Sequence, residues 1–323
     1  MPHGIHRRGF ISSLGALTAT SMVSPFSSAA RTSHLFRVAV ITDEISQDFG
    51  HACEIASREF GMEWVELRGM WDKNIVNLDS HDISEVQRIL EKYKLRVTDI
   101  ASPLFKVDWP GAPKSKFSPK APQFGADFTF DQQDEVLARS IELARAFRTD
   151  RIRCFDFWRL DDQAPYREAM NSKLLNAANA LGKQGITFVL ENEMACNTAT
   201  AAEAAKVLAS VQSPHFMLNW DPGNAAAAGE KPYPDGYRLL PKNRIGHCHC
   251  KDEAKTANGK DHEWAAMGHG VIDWVGQFRA LKNDGYHFAV SLETHWRGAG
   301  TAEAATRESW LGMKDALQKA GAL

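Results

Sequence analysis

The stretch "RIGHCHCKDE", residues 244–253, puts two histidines and two cysteines in four consecutive positions, 247–250. As a loop it would be a zinc knot with four ligands. As a strand it cannot be one. Successive side chains of a strand point to opposite faces, so His247 and His249 face one way and Cys248 and Cys250 the other. Zinc fingers separate their ligand pairs by turns for this reason. On the strand reading the cysteines pack outward against helices. His249, nearer the C-terminal end, becomes the better metal ligand, and His247 lies one layer deeper in a supporting role.

Outward from this strand the chain alternates. Short apolar runs of strand type, each followed by a helical pattern, occur at 36–41, 64–67, 97–101, 152–157, 187–190, 215–220, 244–250 and 288–292. The helical patterns include "DSHDISEVQRILEKYKL", "DQQDEVLARSIELARAF" and the C-terminal "AEAATRESWLGMKDALQKAG", with a weak one around 235–241 after the sixth run. Eight such units in about 290 residues predict an α/β fold, a (β/α)8 TIM barrel. A doubly wound open sheet is the competitor, but no glycine-rich fingerprint follows the first run. The loops at 103–126 and 253–270 belong to the face where such barrels keep their active sites. No compositional shift marks a linker, so residues 31–323 read as one barrel domain.

Residues 1–30 read as a twin-arginine export signal. Arg7 and Arg8 precede a mildly apolar, small-residue run that ends in Ser28-Ala29-Ala30, with cleavage expected after Ala30. The run is too short and polar to span a bilayer. The expected location is therefore the periplasm or outside the cell. The 323-residue chain has a net charge of −2, and removal of the two arginines makes it −4. No basic field argues for nucleic acid. The five cysteines are scattered and read mostly as small buried residues; a bridge through Cys53 or Cys196 is left open. So is a homo-oligomer.

Barrel chemistry sits at the C-terminal ends of strands. Glu191, Asp221, His249 and Glu293 stand where the last four strands give way to loops. Three bare carboxylates in one mouth would repel and raise one another's pKa. A divalent cation removes that cost. Mixed oxygen and nitrogen ligands suit Mn2+, Mg2+, Co2+ or Zn2+ without choosing between them.

"VLENE", "NWDPGNA", "GHCHCKD", "GHGVIDW" and "SLETH", in that order, resemble the sugar phosphate isomerase/epimerase family. This is the xylose isomerase-like barrel superfamily, whose relatives include D-tagatose 3-epimerase, hydroxypyruvate isomerase and inosose dehydratase. "ITDEISQDF" and "GMEWVELRG" extend the resemblance over almost the whole chain after residue 30. It implies that Glu191, Asp221, His249 and Glu293 hold a metal. It also implies that Glu191 and Glu293 exchange protons with a small-molecule sugar or polyol through a cis-enediolate. Glu66, Arg68, Lys106, Arg153, Asn224, Lys251 and His269 are candidates for substrate contact. Asn224 departs from the family, whose epimerases carry a histidine there, and an asparagine cannot carry a proton. A lyase or hydratase acting on a keto-sugar or keto-glycoside shares the enolate chemistry and is the alternative. An endonuclease IV-like nuclease and a non-catalytic sugar binder fit the acidic balance and the paired glutamates less well.

Overall fold

A computed structural model of the chain describes residues 35–121, 125–256 and 262–323. The expected export signal at 1–30 lies outside these residues. Eight parallel strands form the sheet: β1 (Arg37–Val40), β2 (Trp64–Leu67), β3 (Arg96–Ile100), β4 (Arg151–Cys154), β5 (Thr187–Glu191), β6 (Phe216–Trp220), β7 (Ile245–Cys250) and β8 (Ala289–Leu292). Their order is β1-β8-β7-β6-β5-β4-β3-β2. A parallel bridge between Ile41 and Glu66 joins the two ends into a nearly closed barrel. This bears out the TIM barrel and removes the open sheet. Among the described residues no helix is long and apolar enough to cross a membrane.

The alternation read from residues 245–250 holds. Cys248 and Cys250 join the apolar layer between sheet and helices, with Leu218, Trp220, Val290 and Leu292. His247 and His249 are fully buried on the other side, where His249 sits in register with Ser291 of β8. All five cysteines are buried and free.

Three local features differ from the sequence expectation. The helix expected at 235–241 shrinks to one turn, Tyr237–Leu239, and the unit after β6 instead starts with the helix Pro222–Ala227. That helix begins at once because the Asp221 side chain accepts from Asn224 N–H at 2.8 Å and Pro222 occupies the first turn. The region expected to be a polar loop, 253–270, contains an antiparallel hairpin, Asp252–Lys255 with His262–Ala265. A smaller hairpin, Gly69–Met70 with Lys73–Asn74, follows β2.

The segment after the larger hairpin docks on the C-terminal helix Ala302–Ala320 at Gly312. A Cβ there would lie 1.7 Å from the Met267 carbonyl oxygen. Only a backbone shift could relieve that contact. Gly312→Ala is therefore expected to destabilise the fold by about 1–3 kcal/mol, read as a lowered urea midpoint at unchanged slope.

Candidate metal centre and active site

The barrel mouth gathers Glu191, Asp221, His249 and Glu293, all buried. Glu191 ends β5, Asp221 caps the helix after β6, His249 lies near the end of β7, and Glu293 follows β8. The geometry turns on the imidazole. Its Nε2 lies 2.9 Å from Glu66 Oε1, so the proton on Nε2 is donated to that carboxylate. Its Nδ1 is buried without a hydrogen-bond partner. From Nδ1, Glu293 Oε2 is 3.2 Å away, Glu191 Oε1 3.5 Å and Asp221 Oδ2 3.7 Å. Hydrogen bonds would close most of these gaps. Ligands about 2.1 Å from a tetrahedral ion stand about 3.4 Å apart, which matches them. One ring nitrogen and three carboxylates are thus arranged around a space suited to a divalent cation.

The surroundings of His249 fix its direction. Pairing between β2 and β3 shifts register between Val65 and Leu67, at Glu66. Pairing between β6 and β7 shifts at Asn219. Such irregularities re-aim side chains, and both of these residues reach the same ring. The Asn219 side-chain oxygen accepts from His247 Nδ1–H at 3.0 Å, and its amide nitrogen packs 3.1 Å from His249 Nε2. Burial opposes a charge on His249, but Glu66, Glu191 and Glu293 outweigh it and hold its pKa well above the usual histidine value. Burial pushes the Glu66 carboxyl up, yet the two histidines bring it down to about 2. A carboxylate behind a ligating histidine orients the ring and raises its basicity. Glu66→Gln is expected to weaken Mn2+ binding by about 10–100-fold, measured by competition with a chelator.

Lys251 extends between two members of this cluster. Its ammonium lies 2.7 Å from Asp221 Oδ2 and 2.6 Å from Glu293 Oε2. Burial disfavours this charge, but the neighbouring carboxylates keep it firmly protonated. Gly223 makes room for its stem: a Cβ there would come within 2.5 Å of Lys251 Cγ.

A cavity of about 500 Å3 opens above the cluster. Arg68, Lys106 and Arg153 line it, as the sequence predicts, together with Glu191 and Glu293. The other candidates stand elsewhere. Glu66 is fully buried behind His249. Asn224 is buried beneath the cluster, and its amide donates to Glu191 Oε1 at 3.2 Å and Asp221 Oδ2 at 3.1 Å. His269 is exposed on the segment after the hairpin and does not line the cavity.

The sequence reading passed over much of the wall. Arg68 donates to Asp43 at 3.0 Å, Glu44 at 2.6 Å and Glu293 at 2.9 Å. Arg297 holds the other oxygen of Glu44 at 2.7 Å. Trp264, on the second hairpin strand, packs edge-on to His295 with ring centres 5.1 Å apart. Burial raises both catalytic-candidate carboxyls, but neighbouring cations win. His249 and Arg153 lower the pKa of Glu191, and Lys251, His295 and His249 lower that of Glu293. Both are held in the ionised, carboxylate form.

The sequence pattern of the xylose isomerase-like TIM barrel matches residues 55–316. The chain belongs to that family. Solved structures similar to this family member include the IolI protein with a bound zinc atom (TM-score 0.67, 16% identity, covering 88% of this chain and 98% of that one). D-allulose 3-epimerase from Methylomonas sp., in complex with D-allulose, gives a TM-score of 0.63 at 15% identity, covering 88% and 98%. The probable 3-DHS dehydratase AsbF from Bacillus anthracis gives 0.64 at 19% identity, covering 86% and 97%. At these identities the likeness establishes the shared fold. No curated protein matches the sequence.

Proposed function

We propose that this chain is a divalent-metal-dependent isomerase or epimerase of a keto sugar or polyol, with Glu191, Asp221, His249 and Glu293 as the metal ligands. The observation that carries this reading is the bare Nδ1 of His249 facing three buried carboxylates at 3.2–3.7 Å. When bound, the ion supplies a Lewis acid beside the carbonyl and hydroxyl oxygens of the substrate.

The chain's own residues move the proton. A carboxylate oxygen of Glu191 or Glu293 takes the proton from the carbon next to the carbonyl. The C–H electron pair forms the C=C bond of a cis-enediolate, and the carbonyl electrons move to oxygen. Return of a proton to the opposite face, from the other glutamate once it has taken one from a substrate hydroxyl or from solvent, inverts the centre. Return to the neighbouring carbon isomerises the sugar instead. The Lys251 ammonium, firmly charged, cannot serve as a base. It steadies Asp221 and Glu293 and adds positive charge near the developing oxyanion.

A lyase or hydratase is the second reading. It is favoured by Asn224, which is buried against Glu191 and Asp221 and offers the substrate no second acid. The export pattern at the N-terminus fits an unphosphorylated substrate in either case. A nuclease reading gains no support from the cavity wall, where Asp43, Glu44, Asp72, Glu191, Glu193 and Glu293 balance the cations.

The test is incubation with aldoses, ketoses and keto-glycosides in D2O with Mn2+. Deuterium entering one sugar carbon is the expected result. Metal-loaded protein that exchanges no carbon-bound hydrogen in any of them would refute the reading.

A further inference from the structure

One layer below the mouth cluster, the barrel interior holds a second group of polar side chains. Glu66 of β2, Asp99 of β3 and His247 of β7 are all fully buried. A bulge brings Asp99 there. Between paired positions β2 advances two residues, Val65 to Leu67, while β3 advances three, Val97 to Ile100. The extra residue breaks the alternation of β3. Val97 and Ile100 both join the apolar layer outside the barrel, and Asp99 reaches across the interior towards His247.

The atoms that meet there are all acceptors. Glu66 spends Oε1 on His249, and its Oε2 has no hydrogen-bond partner among the described residues. Neither oxygen of Asp99 has one. His247 donates its ring proton from Nδ1 to Asn219 Oδ1, so Nε2 is a bare lone pair, also without a partner. From that nitrogen Glu66 Oε2 is 3.6 Å away and Asp99 Oδ1 3.7 Å. These gaps are too long for hydrogen bonds. They are close to the spacing of about 3.4 Å between ligands of one tetrahedral ion.

Buried acceptors facing one another without a donor are costly. The nearby guanidiniums are committed elsewhere. Arg153 pairs with Glu191 at 3.1 Å, and Arg151 with Asp150 and the Gly246 carbonyl. Burial and the Glu66 charge push the Asp99 carboxyl well above the usual carboxylate range. Two carboxylates carry the charge that one divalent ion balances, and the imidazole nitrogen selects a transition metal over Mg2+ or Ca2+.

We propose that Glu66, Asp99 and His247 hold a second divalent transition-metal ion inside the barrel, below the mouth site. This ion ties β2, β3 and β7 together and fixes the carboxylate that orients His249. It lies outside the proposed reaction and does not depend on it.

Zinc serves as the probe. The native chain, produced in zinc-supplemented medium and dialysed free of loose ions, is expected to carry about two zinc ions per chain by plasma mass spectrometry, and Asp99→Leu about one. An anomalous difference map of native crystals at the zinc edge is expected to show one peak among Glu191, Asp221, His249 and Glu293 and another among Glu66, Asp99 and His247. The map does not require the variant to fold. A map without the deeper peak would overturn the inference, as would two ions retained in Asp99→Leu. Density without anomalous signal at that place, a water beside a protonated Asp99, would overturn it as well. The two sites fail separately. A mouth peak alone leaves the proposed function standing, and a deep peak alone leaves this ion standing without the mouth site.

Discussion

Glu293→Gln is expected to lower turnover by about 10²–10⁴-fold, the usual contribution of a positioned acid or base. Glu191→Gln should do the same, but the two variants should differ in a way that a lost ligand alone would not produce. If the glutamates serve opposite faces, each variant blocks deuterium exchange from a different epimer. Each should still support slow exchange from the other, because the remaining carboxylate meets the proton it normally removes. Metal content, measured in parallel, separates loss of the base from loss of the ion. Glutamine keeps a ligating oxygen but loses the charge. At Glu293 that charge also balances Arg68, 2.9 Å away, and Lys251, 2.6 Å away. A drop in metal affinity is therefore expected on top of the kinetic loss, larger for Glu293 than for Glu191. Unchanged exchange from both epimers in both variants would remove the glutamates from the chemistry.

The barrel and the clustering of Glu191, Asp221, His249 and Glu293 were legible because each depends on short-range pattern. Period two in "IGHCHC" sorted histidines from cysteines, and strand ends are where barrels place their chemistry. What the pattern missed depends on contacts between distant segments. Glu66 sits between the apolar Val65 and Leu67, and its partner His249 lies 183 positions away, where no local pattern could pair the two. Asn224 was read as facing substrate because of its spacing from Asp221. The short helix that Asp221 caps turns the amide under the carboxylates of Glu191 and Asp221 instead. The hairpin carrying Trp264 was invisible because "DEAK" and "HEWA" show no apolar alternation. Arg68 was identified as a wall residue. Two of its three carboxylate partners, Asp43 and Glu44, lie in the turn after β1 and the third, Glu293, just after β8, and no local signal joins them.

The largest effect on stability is expected from Asp252→Ala. Asp252 closes the "HCKD" stretch, and resemblance alone would place it with the chemistry. Its side chain instead accepts four backbone N–H groups. Glu253 N–H and Ile272 N–H reach Oδ1 at 3.0 and 3.3 Å, and Gly268 N–H and Gly270 N–H reach Oδ2 at 3.0 and 3.1 Å. The motif "GHGVIDW" thus wraps a buried carboxylate. Gly270 allows that approach, because a Cβ there would lie 2.2 Å from Asp252 Oδ1. Alanine leaves four donors without their acceptor, those of the buried Glu253 and Ile272 among them, a loss of about 3 kcal/mol. Asparagine keeps one side-chain oxygen and should lose about half as much. Urea unfolding followed by fluorescence reads both. Hydrogen exchange then shows where the damage lies: amides 266–272 should lose protection first in Asp252→Ala, with residues 262–265 following because Ala265 pairs with Asp252. Since Trp264 stands in that strand over the cavity, the variant should weaken sugar binding while the affinity of the four-residue cluster for Mn2+ changes less. Loss of metal binding as large as that of Glu66→Gln would instead place Asp252 among the supports of the ion.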